Sequence, residues 1–216
     1  VVIVGYHDIA DRFAYVPLIG LFIALSWGLG DLVGKSKRLS LAAAAASVLV
    51  CLLLAGLTRT QAGYWKNGYT LFDHAVQVTK DNYIMHENLG RELISRGRPE
   101  EAVAQFVESI RIMPTYPDAR INLGLILYQT GRRAEGIQVL TEAARLFPRT
   151  ASIPCDLGVM LAGEGKREEA AQSLTEAIRL DPQQAKAHYH LGILYYEDRQ
   201  FDRAAEHLQA ASELMP

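Results

Sequence analysis

The feature that most constrains the fold of this chain is an internal repeat of 34 residues. Three kinds of residue recur at that interval, and each recurs four times. They are leucines (Leu89, Leu123, Leu157, Leu191), glycines (Gly90, Gly124, Gly158, Gly192) and prolines (Pro114, Pro148, Pro182, Pro216). A fixed period of this length indicates stacked structural units, each too small to bury its own apolar surface.

The period divides the region into four units, and each unit is predicted to be a pair of helices. The units are 83–116, 117–150, 151–184 and 185–216. The predicted helices are 83–96, 99–112, 117–130, 133–146, 151–164, 167–180, 185–198 and 201–214. The turn inside each pair is marked by Gly97, Gly131, Gly165 and, in the last unit, Arg199. The proline near the end of each unit stops the second helix, because it lacks a backbone N–H and clashes with the preceding turn.

The marker residues resemble those of the tetratricopeptide repeat (TPR). The third unit carries them as Leu157, Gly158, Ala170, Leu174 and Pro182. The resemblance implies an all-α, right-handed superhelical solenoid, in which the glycine faces the small residue twelve positions later where the two helices cross. The second unit has Gly136 where the family prefers alanine. That departure predicts slightly looser packing in this unit.

The residues before the first repeat fit the second helix of an incomplete repeat, since Phe72 and Ala75 fall in frame with its markers. Residues 59–82 are therefore predicted to form an adaptor helix that caps the first repeat. The chain begins with Val1 and stops at the proline of a repeat, so we expect it to be part of a longer protein.

Two apolar runs precede the adaptor. Residues 13–30 and 39–58 contain no charged side chain, and both are long enough to span a hydrocarbon core of about 30 Å. The sequence predicts a transmembrane helical hairpin over 13–58, with a basic loop at 35–38 that faces the cytoplasm and residues 1–12 as an extracytoplasmic loop. The repeats would then be extracytoplasmic. The alternative is a pair of buried helices in a soluble domain, which runs of this length disfavour.

A second resemblance begins at Asp11 and extends to Gly20, with the sequence DRFAYVPLIG. This stretch resembles a segment of bacterial multi-spanning membrane glycosyltransferases of the protein O-mannosyltransferase kind that carry a C-terminal TPR array. The apolar hairpin and the Tyr64–Asn67 segment also lie where that family has them. The resemblance implies a bacterial inner-membrane protein. The catalytic carboxylates of that family lie in an early loop that this chain does not include, so no catalytic residue is assigned.

Composition argues against several other functions. The formal net charge of −2 does not suit nucleic acid as a partner, because phosphate binding needs clustered Lys and Arg. The two cysteines, Cys51 and Cys155, have no metal-ligand spacing, and His188 and His190 are too close on one helix to share a face. A glycine-rich stretch at 30–36 has the wrong spacing for a phosphate-binding loop. We therefore predict no metal site and no cofactor.

The first helix of each unit is expected to line a concave groove that binds a protein or a peptide. One position in that helix recurs as Asn88, Asn122, Asp156 and His190, which is part of an asparagine ladder for the backbone of an extended ligand. Further groove residues are predicted at four places: Arg91, Tyr128, Tyr189 and Tyr196. Tyrosines combine a flat contact area with a hydroxyl group, which suits peptide recognition.

The sequence thus predicts a membrane-tethered TPR scaffold, the non-catalytic C-terminal part of a membrane glycosyltransferase. The alternative is an assembly factor or scaffold of a cell-envelope complex with no link to sugar transfer. The predicted partners are a peptide or protein in the groove and the lipid bilayer through 13–58.

Overall fold

A computed structural model describes residues 37–215, and within them it contains ten helices and no strand. The chain divides into two units, Val1–Gly63 and Tyr64–Pro216. The first apolar run, 13–30, the loop residues 35–36 and the Asp11–Gly20 stretch lie outside the described residues.

The described part of the first unit is one long helix, α1, which spans Lys37–Tyr64. It contains the second apolar run, and none of its described side chains is buried. By length and composition it could cross a membrane. Two hydroxyl groups inside it donate to backbone carbonyls one turn earlier, Ser47 Oγ to Ala43 O at 2.8 Å and Thr60 Oγ1 to Gly56 O at 3.1 Å. Such bonds satisfy a hydroxyl without water or a neighbouring helix.

The ends of α1 differ from the sequence-based expectation. The helix begins at Lys37, so Lys37 and Arg38 lie in its first turn and not in a loop. It continues six residues past Thr58 to Tyr64, because residues 59–63 contain no helix-breaking proline and keep the helical pattern of the apolar run.

The second unit starts with a shorter helix, α2, which spans Gly68–Val78. Asn67 caps it: its side chain accepts a hydrogen bond from the Thr70 amide at 3.0 Å, and the Thr70 hydroxyl donates to the Tyr64 carbonyl at 3.0 Å. This reciprocal cap explains why the adaptor helix starts at Gly68 and not at residue 59. The apolar face of α2 packs on the first repeat through Tyr69, Phe72 and Val76.

Eight helices follow in four antiparallel pairs, and each lies within one residue of its predicted bounds. They are α3 (Tyr83–Ser95), α4 (Pro99–Ile112), α5 (Pro117–Gln129), α6 (Arg133–Leu146), α7 (Ser152–Gly163), α8 (Arg167–Leu180), α9 (Ala185–Glu197) and α10 (Phe201–Leu214). Each pair packs together, and its second helix packs on the first helix of the next pair. The predicted all-α solenoid is confirmed in the described part of the chain.

The turn inside each pair needs a left-handed residue. Gly97, Gly131 and Gly165 have φ of 70°, 91° and 74°. Arg199 takes the same conformation in the fourth repeat, with φ of 60°. Because an L-residue other than glycine is strained there, the fourth repeat keeps the turn at a local cost in stability.

The two helices of each repeat cross at the recurring glycine. A Cβ atom built on Gly90 would lie 2.6 Å from the Phe106 ring, and one on Gly124 would lie 2.8 Å from Leu140 Cγ. Phe106, Leu140 and Leu174 occupy equivalent places in three repeats and are fully buried. The glycine column is therefore required by helix contact, as predicted from the sequence.

Gly136 does not loosen the second repeat, contrary to expectation. A Cβ atom on Gly136 would lie 2.6 Å from the Gly124 carbonyl oxygen and 2.9 Å from the Tyr128 nitrogen. Both contacts are to backbone atoms of α5. The absence of a side chain on both helices lets the two backbones approach directly, so this crossing is tight.

Candidate ligand-binding groove

The first helices α3, α5, α7 and α9 adjoin one another and form one layer of the solenoid. Gly124 faces the second helix of its own repeat. At about 100° per residue, Asn122, two positions earlier, points to the far side of α5, and Leu125, three positions after Asn122, shares that side. Because the period is 34 residues, every first helix presents two such residues on the same side. We call these two columns the groove stripe.

The polar column of the groove stripe contains the four residues predicted as a ladder. Asn88, Asn122 and His190 are half-buried, and Asp156 is buried. The structure thus places them in one line across four repeats. Two of the four make side-chain bonds to an adjacent repeat.

Asn122 is held by a buried carboxylate of the preceding repeat. Its amide nitrogen donates to Glu87 Oε1 at 3.0 Å, and Glu87 is only 5% exposed. The Arg91 guanidinium lies 3.8 Å from the same oxygen and is otherwise exposed. Burial raises the pKa of Glu87, and the positive charge of Arg91 and the Asn122 bond oppose that rise only in part. Sequence reasoning missed Glu87, although a charged residue on an otherwise apolar side of α3 could have signalled it.

Asp156 is held by the following repeat in a similar way. Lys186 Nζ donates to Asp156 Oδ1 at 2.6 Å. His190 lies on α9 one turn after Lys186, and burial, with the charge of Lys186, lowers its pKa. Cys155 is fully buried beside this pair, and burial raises the pKa of its thiol to about 11. A thiol with so high a pKa is a weak nucleophile.

The second column of the groove stripe is mainly aliphatic. It consists of Arg91, Leu125, Val159 and Ile193, and the three aliphatic side chains are half-buried. The sequence analysis named Arg91 but not the other three. The signal was available, since the three lie 34 residues apart and three positions after the polar column. Branched apolar residues half exposed on a concave face suit contact with the side chains of a ligand.

The predicted groove tyrosines do not share this stripe. Tyr128 lies between two repeats, where its hydroxyl donates to the Met160 carbonyl at 3.2 Å and contacts Glu164 Oε1 at 3.1 Å. Tyr196 occupies the equivalent place two repeats later and is 59% exposed, and Tyr189 is 44% exposed. Both point from α9 toward the side on which earlier repeats contact their successor. Their exposure reflects the absence of a further helix pair among the described residues.

Ionisable residues do not cluster elsewhere in a way that suggests chemistry. Within residues 37–215, no group of three or more His, Cys, Asp or Glu side chains is arranged to hold a metal ion. His188 and His190 point in different directions, as their spacing predicted: the ring of His188 contacts His207 on α10.

Comparison with known proteins supports the repeat assignment. A family model described as "TPR repeat" matches residues 90–131 and 158–198. Two models described as "Tetratricopeptide repeat" match 117–150 and 185–216. Together these matches cover all four of the units read from the sequence.

Two similar curated proteins are animal O-mannosyltransferases. The Drosophila melanogaster protein O-mannosyl-transferase Tmtc3 is 28% identical over 105 residues, which is 48% of this chain and 11% of that protein. The Mus musculus protein O-mannosyl-transferase TMTC1 is 30% identical over 112 residues, which is 51% of this chain and 12% of that protein. The similarity lies in the TPR region. The chain spans about a tenth of the length of these relatives.

Solved structures with a similar fold are also TPR solenoids. A crystal structure of MamA superposes with a TM-score of 0.60 at 18% identity, covering 73% of this chain and 92% of MamA. YrrB, described as a TPR protein with an unusual peptide-binding site, superposes with a TM-score of 0.53 at 21% identity, covering 76% of this chain and 82% of YrrB. The 34-residue period, the tight helix crossings and these matches agree, and the chain belongs to the tetratricopeptide repeat family.

Proposed function

We propose that the TPR array holds an extended protein segment along the groove stripe. The observation that carries the proposal is the register of the two columns: a hydrogen-bonding side chain and, in three of four repeats, an aliphatic side chain recur together on one side of the first helices. An extended segment offers backbone amides and carbonyls along one edge and side chains that alternate between its faces. The polar column suits the first, and the aliphatic column suits the second.

The bonds to neighbouring repeats support this role because they fix the polar column before a ligand arrives. Glu87 orients the Asn122 amide, which leaves the Asn122 carbonyl oxygen without a donor in the described chain. Lys186 orients Asp156 in the same way. Side chains that are already ordered lose less conformational entropy on binding. YrrB, a neighbour in fold, is described as having a peptide-binding site, and a protein or peptide is the partner class that TPR arrays share.

The groove is tested with one changed aliphatic residue and a matched control. Val159→Lys places a charge in the centre of the groove stripe, and Val107→Lys makes the same change on the outer helix α4, where Val107 is 51% exposed. Peptides of about twelve residues are selected by phage display against the full chain in detergent micelles, and their affinities are measured by fluorescence polarisation. Val159→Lys should weaken binding at least tenfold, and Val107→Lys should not. Selected peptides that bind both variants equally would contradict the groove.

We further propose that α1 anchors the array in a membrane. Its apolar side chains are exposed along the whole helix, Leu49 at 66% and Leu53 at 62%, which water would disfavour by about 25 cal/mol for each Å². The positive residues at 35–38 favour the cytoplasm for that end, which puts the array on the extracytoplasmic face of a bacterial inner membrane. The transmembrane hairpin, its partner run 13–30 and the outer loop 1–12 belong to this proposal.

The anchor is tested by membrane extraction. The wild-type chain should stay in the pellet after an alkaline carbonate wash, whereas Leu49→Arg with Leu53→Arg should release it. Val78→Arg, a change at an exposed residue of α2, is the control and should not release it. A reporter enzyme that is active only outside the cytoplasm, fused after the array, tests the orientation. Wild-type chain in the soluble fraction would contradict the anchor, and an inactive reporter would contradict the orientation.

A link to sugar transfer is supported by the names of the relatives and by the resemblance at Asp11–Gly20. In this view the array is the non-catalytic C-terminal part of a membrane glycosyltransferase and presents a protein substrate to a catalytic part elsewhere. The chain itself should then transfer no mannose from a polyprenyl-phosphate donor to the peptides selected above. Measurable transfer would show that catalytic residues lie within these 216 residues.

A further inference from the structure

The fourth repeat contains a histidine pair that joins its two helices. His188 on α9 and His207 on α10 approach with their Nδ1 atoms 3.1 Å apart. The first repeat has His86 and Gln105 at the same two places, with His86 Nδ1 2.8 Å from Gln105 Oε1. The second and third repeats have Arg120 with Val139 and Pro154 with Ser173 there. Two repeats thus join their helices through an imidazole at this point, but only the fourth does so with two.

Hydrogen bonds fix which ring carries which proton. His188 Nε2 lies 3.3 Å from the Pro182 carbonyl oxygen, which can only accept, so this nitrogen carries a hydrogen. When His188 is neutral its Nδ1 is therefore bare. His207 must then supply the hydrogen between the two rings from its own Nδ1.

The two rings can share a contact in only some protonation states. One added proton on His207 keeps its Nδ1–H and strengthens the bond to a neutral His188. A second added proton puts a hydrogen on both Nδ1 atoms, so two donors and two positive charges face each other at 3.1 Å. The His86–Gln105 pair has no such limit, because a protonated His86 still donates to the amide oxygen.

The surroundings do not relieve that conflict. Arg203 on α10 lies over the Tyr195 ring at 5.3 Å, and Tyr195 on α9 stacks on His207 with ring centroids 5.6 Å apart. Burial, His188 and Arg203 lower the pKa of His207, and Glu206, the one acidic group acting on it among the described residues, opposes them. The 181–184 turn contributes the Pro182 carbonyl, and no charged group of α8 acts on the His207 ring in the described chain.

We propose that the His188–His207 contact makes the fourth repeat acid-labile: α9 and α10 stay paired while at most one added proton is bound, and they separate when both rings are charged. Protonated rings are accommodated without penalty once the helices part, so the open state binds one more proton than the closed state. Stability of the closed repeat is therefore complete above the ordinary imidazole range near pH 6.5 and falls as the pH decreases below it.

The linkage gives the size of the effect. A difference of one proton changes the opening equilibrium about tenfold for each pH unit below about 6.5. The fourth repeat has a described neighbour on one side only, the third repeat, so it can open without disrupting the others. α9 also carries His190 and Ile193 of the groove stripe. If the proposed groove binding is correct, mild acid would weaken its C-terminal part.

The test measures opening directly and without a ligand, so it does not depend on the groove proposal. Hydrogen exchange of the full chain in detergent micelles is followed by mass spectrometry at pH 7.5 and 5.5, and protection factors are corrected for the intrinsic rate at each pH. Protection in 185–214 should fall about tenfold more than protection in 83–112, which carries the His86–Gln105 pair. His207→Gln, which copies the first repeat, should remove that difference.

Three results would overturn the proposal. The wild-type repeat could keep its protection at pH 5.5. His207→Gln could lose as much protection as the wild type. The loss could vanish in His190→Gln instead, which would assign it to the buried His190. A measurement on the wild type alone guards against a misfolded variant: in an NMR titration the His188 and His207 rings should take up their second proton below the ordinary imidazole range, and two independent titrations within that range would refute the mechanism.

Discussion

Replacing Gly136 with alanine separates two explanations of repeat stability. Three of the four repeats have alanine at this place, Ala102, Ala170 and Ala204, all buried. Helix propensity and family preference both predict that Gly136→Ala stabilises the protein, by about 1 kcal/mol. The structure predicts the opposite, because the new Cβ would lie 2.6 Å from the Gly124 carbonyl oxygen and 2.9 Å from the Tyr128 nitrogen.

The magnitude follows from what can move. Carbon and oxygen atoms that are not bonded need well over 3 Å, so α5 and α6 must separate by roughly half an ångström or more. Both contacted atoms belong to a helix backbone, which cannot rotate away as a side chain can. Overpacking of this kind costs about 1–3 kcal/mol. After subtraction of the propensity gain, we expect a net loss of about 1 kcal/mol.

The assay is thermal and urea unfolding of the full chain in detergent micelles, followed by circular dichroism. The matched variant is Ala170→Gly, the reverse change in the third repeat. If propensity alone governed the site, the two changes would shift the midpoint by equal and opposite amounts. If crowding governs it, both should lower the midpoint. A midpoint of Gly136→Ala at or above that of the wild type would refute the backbone contact as described.

Three further predictions test other parts of the fold. Gly124→Leu should cost about 3 kcal/mol or more, because its Cβ would already meet Leu140 Cγ at 2.8 Å and the rest of the side chain has no space; an unchanged melting midpoint would contradict the crossing. Arg199→Gly should stabilise the fourth repeat by about 1 kcal/mol, because it removes a non-glycine residue from φ of 60°; unfolding midpoints of the two proteins decide this. Glu87→Gln should stabilise the array at pH 7.5, and the gain should shrink as the pH falls toward 4: burial raises the pKa of Glu87, so the folded chain favours the protonated acid and loses stability as the pH rises through that pKa. Equal midpoints of wild type and Glu87→Gln at both pH values would show that burial of the charge has no net cost.

Much of this protein was determined by its sequence alone. The spacing of Gly90, Gly124, Gly158 and Gly192 fixed the repeat length, and the turn and proline residues fixed the helix bounds to within one residue. This succeeds because contacts in a solenoid are local: each helix packs on neighbours that are close in sequence, so the pattern of small and apolar residues records nearly all of them. The run of uncharged residues at 39–58 likewise predicted a long apolar helix.

Tertiary structure decided what each side chain of a first helix faces. Tyr128 and Asn122 both looked like groove residues, yet Tyr128 lies between repeats and Asn122 lies on the open side, because 100° per residue separates positions that are close in sequence. The sequence also did not reveal that Glu87 is buried under Asn122 or that His188 meets His207, since those contacts depend on how two helices are rotated against each other. Periodicity specifies that helices pack; only the packed helices determine which polar atoms meet.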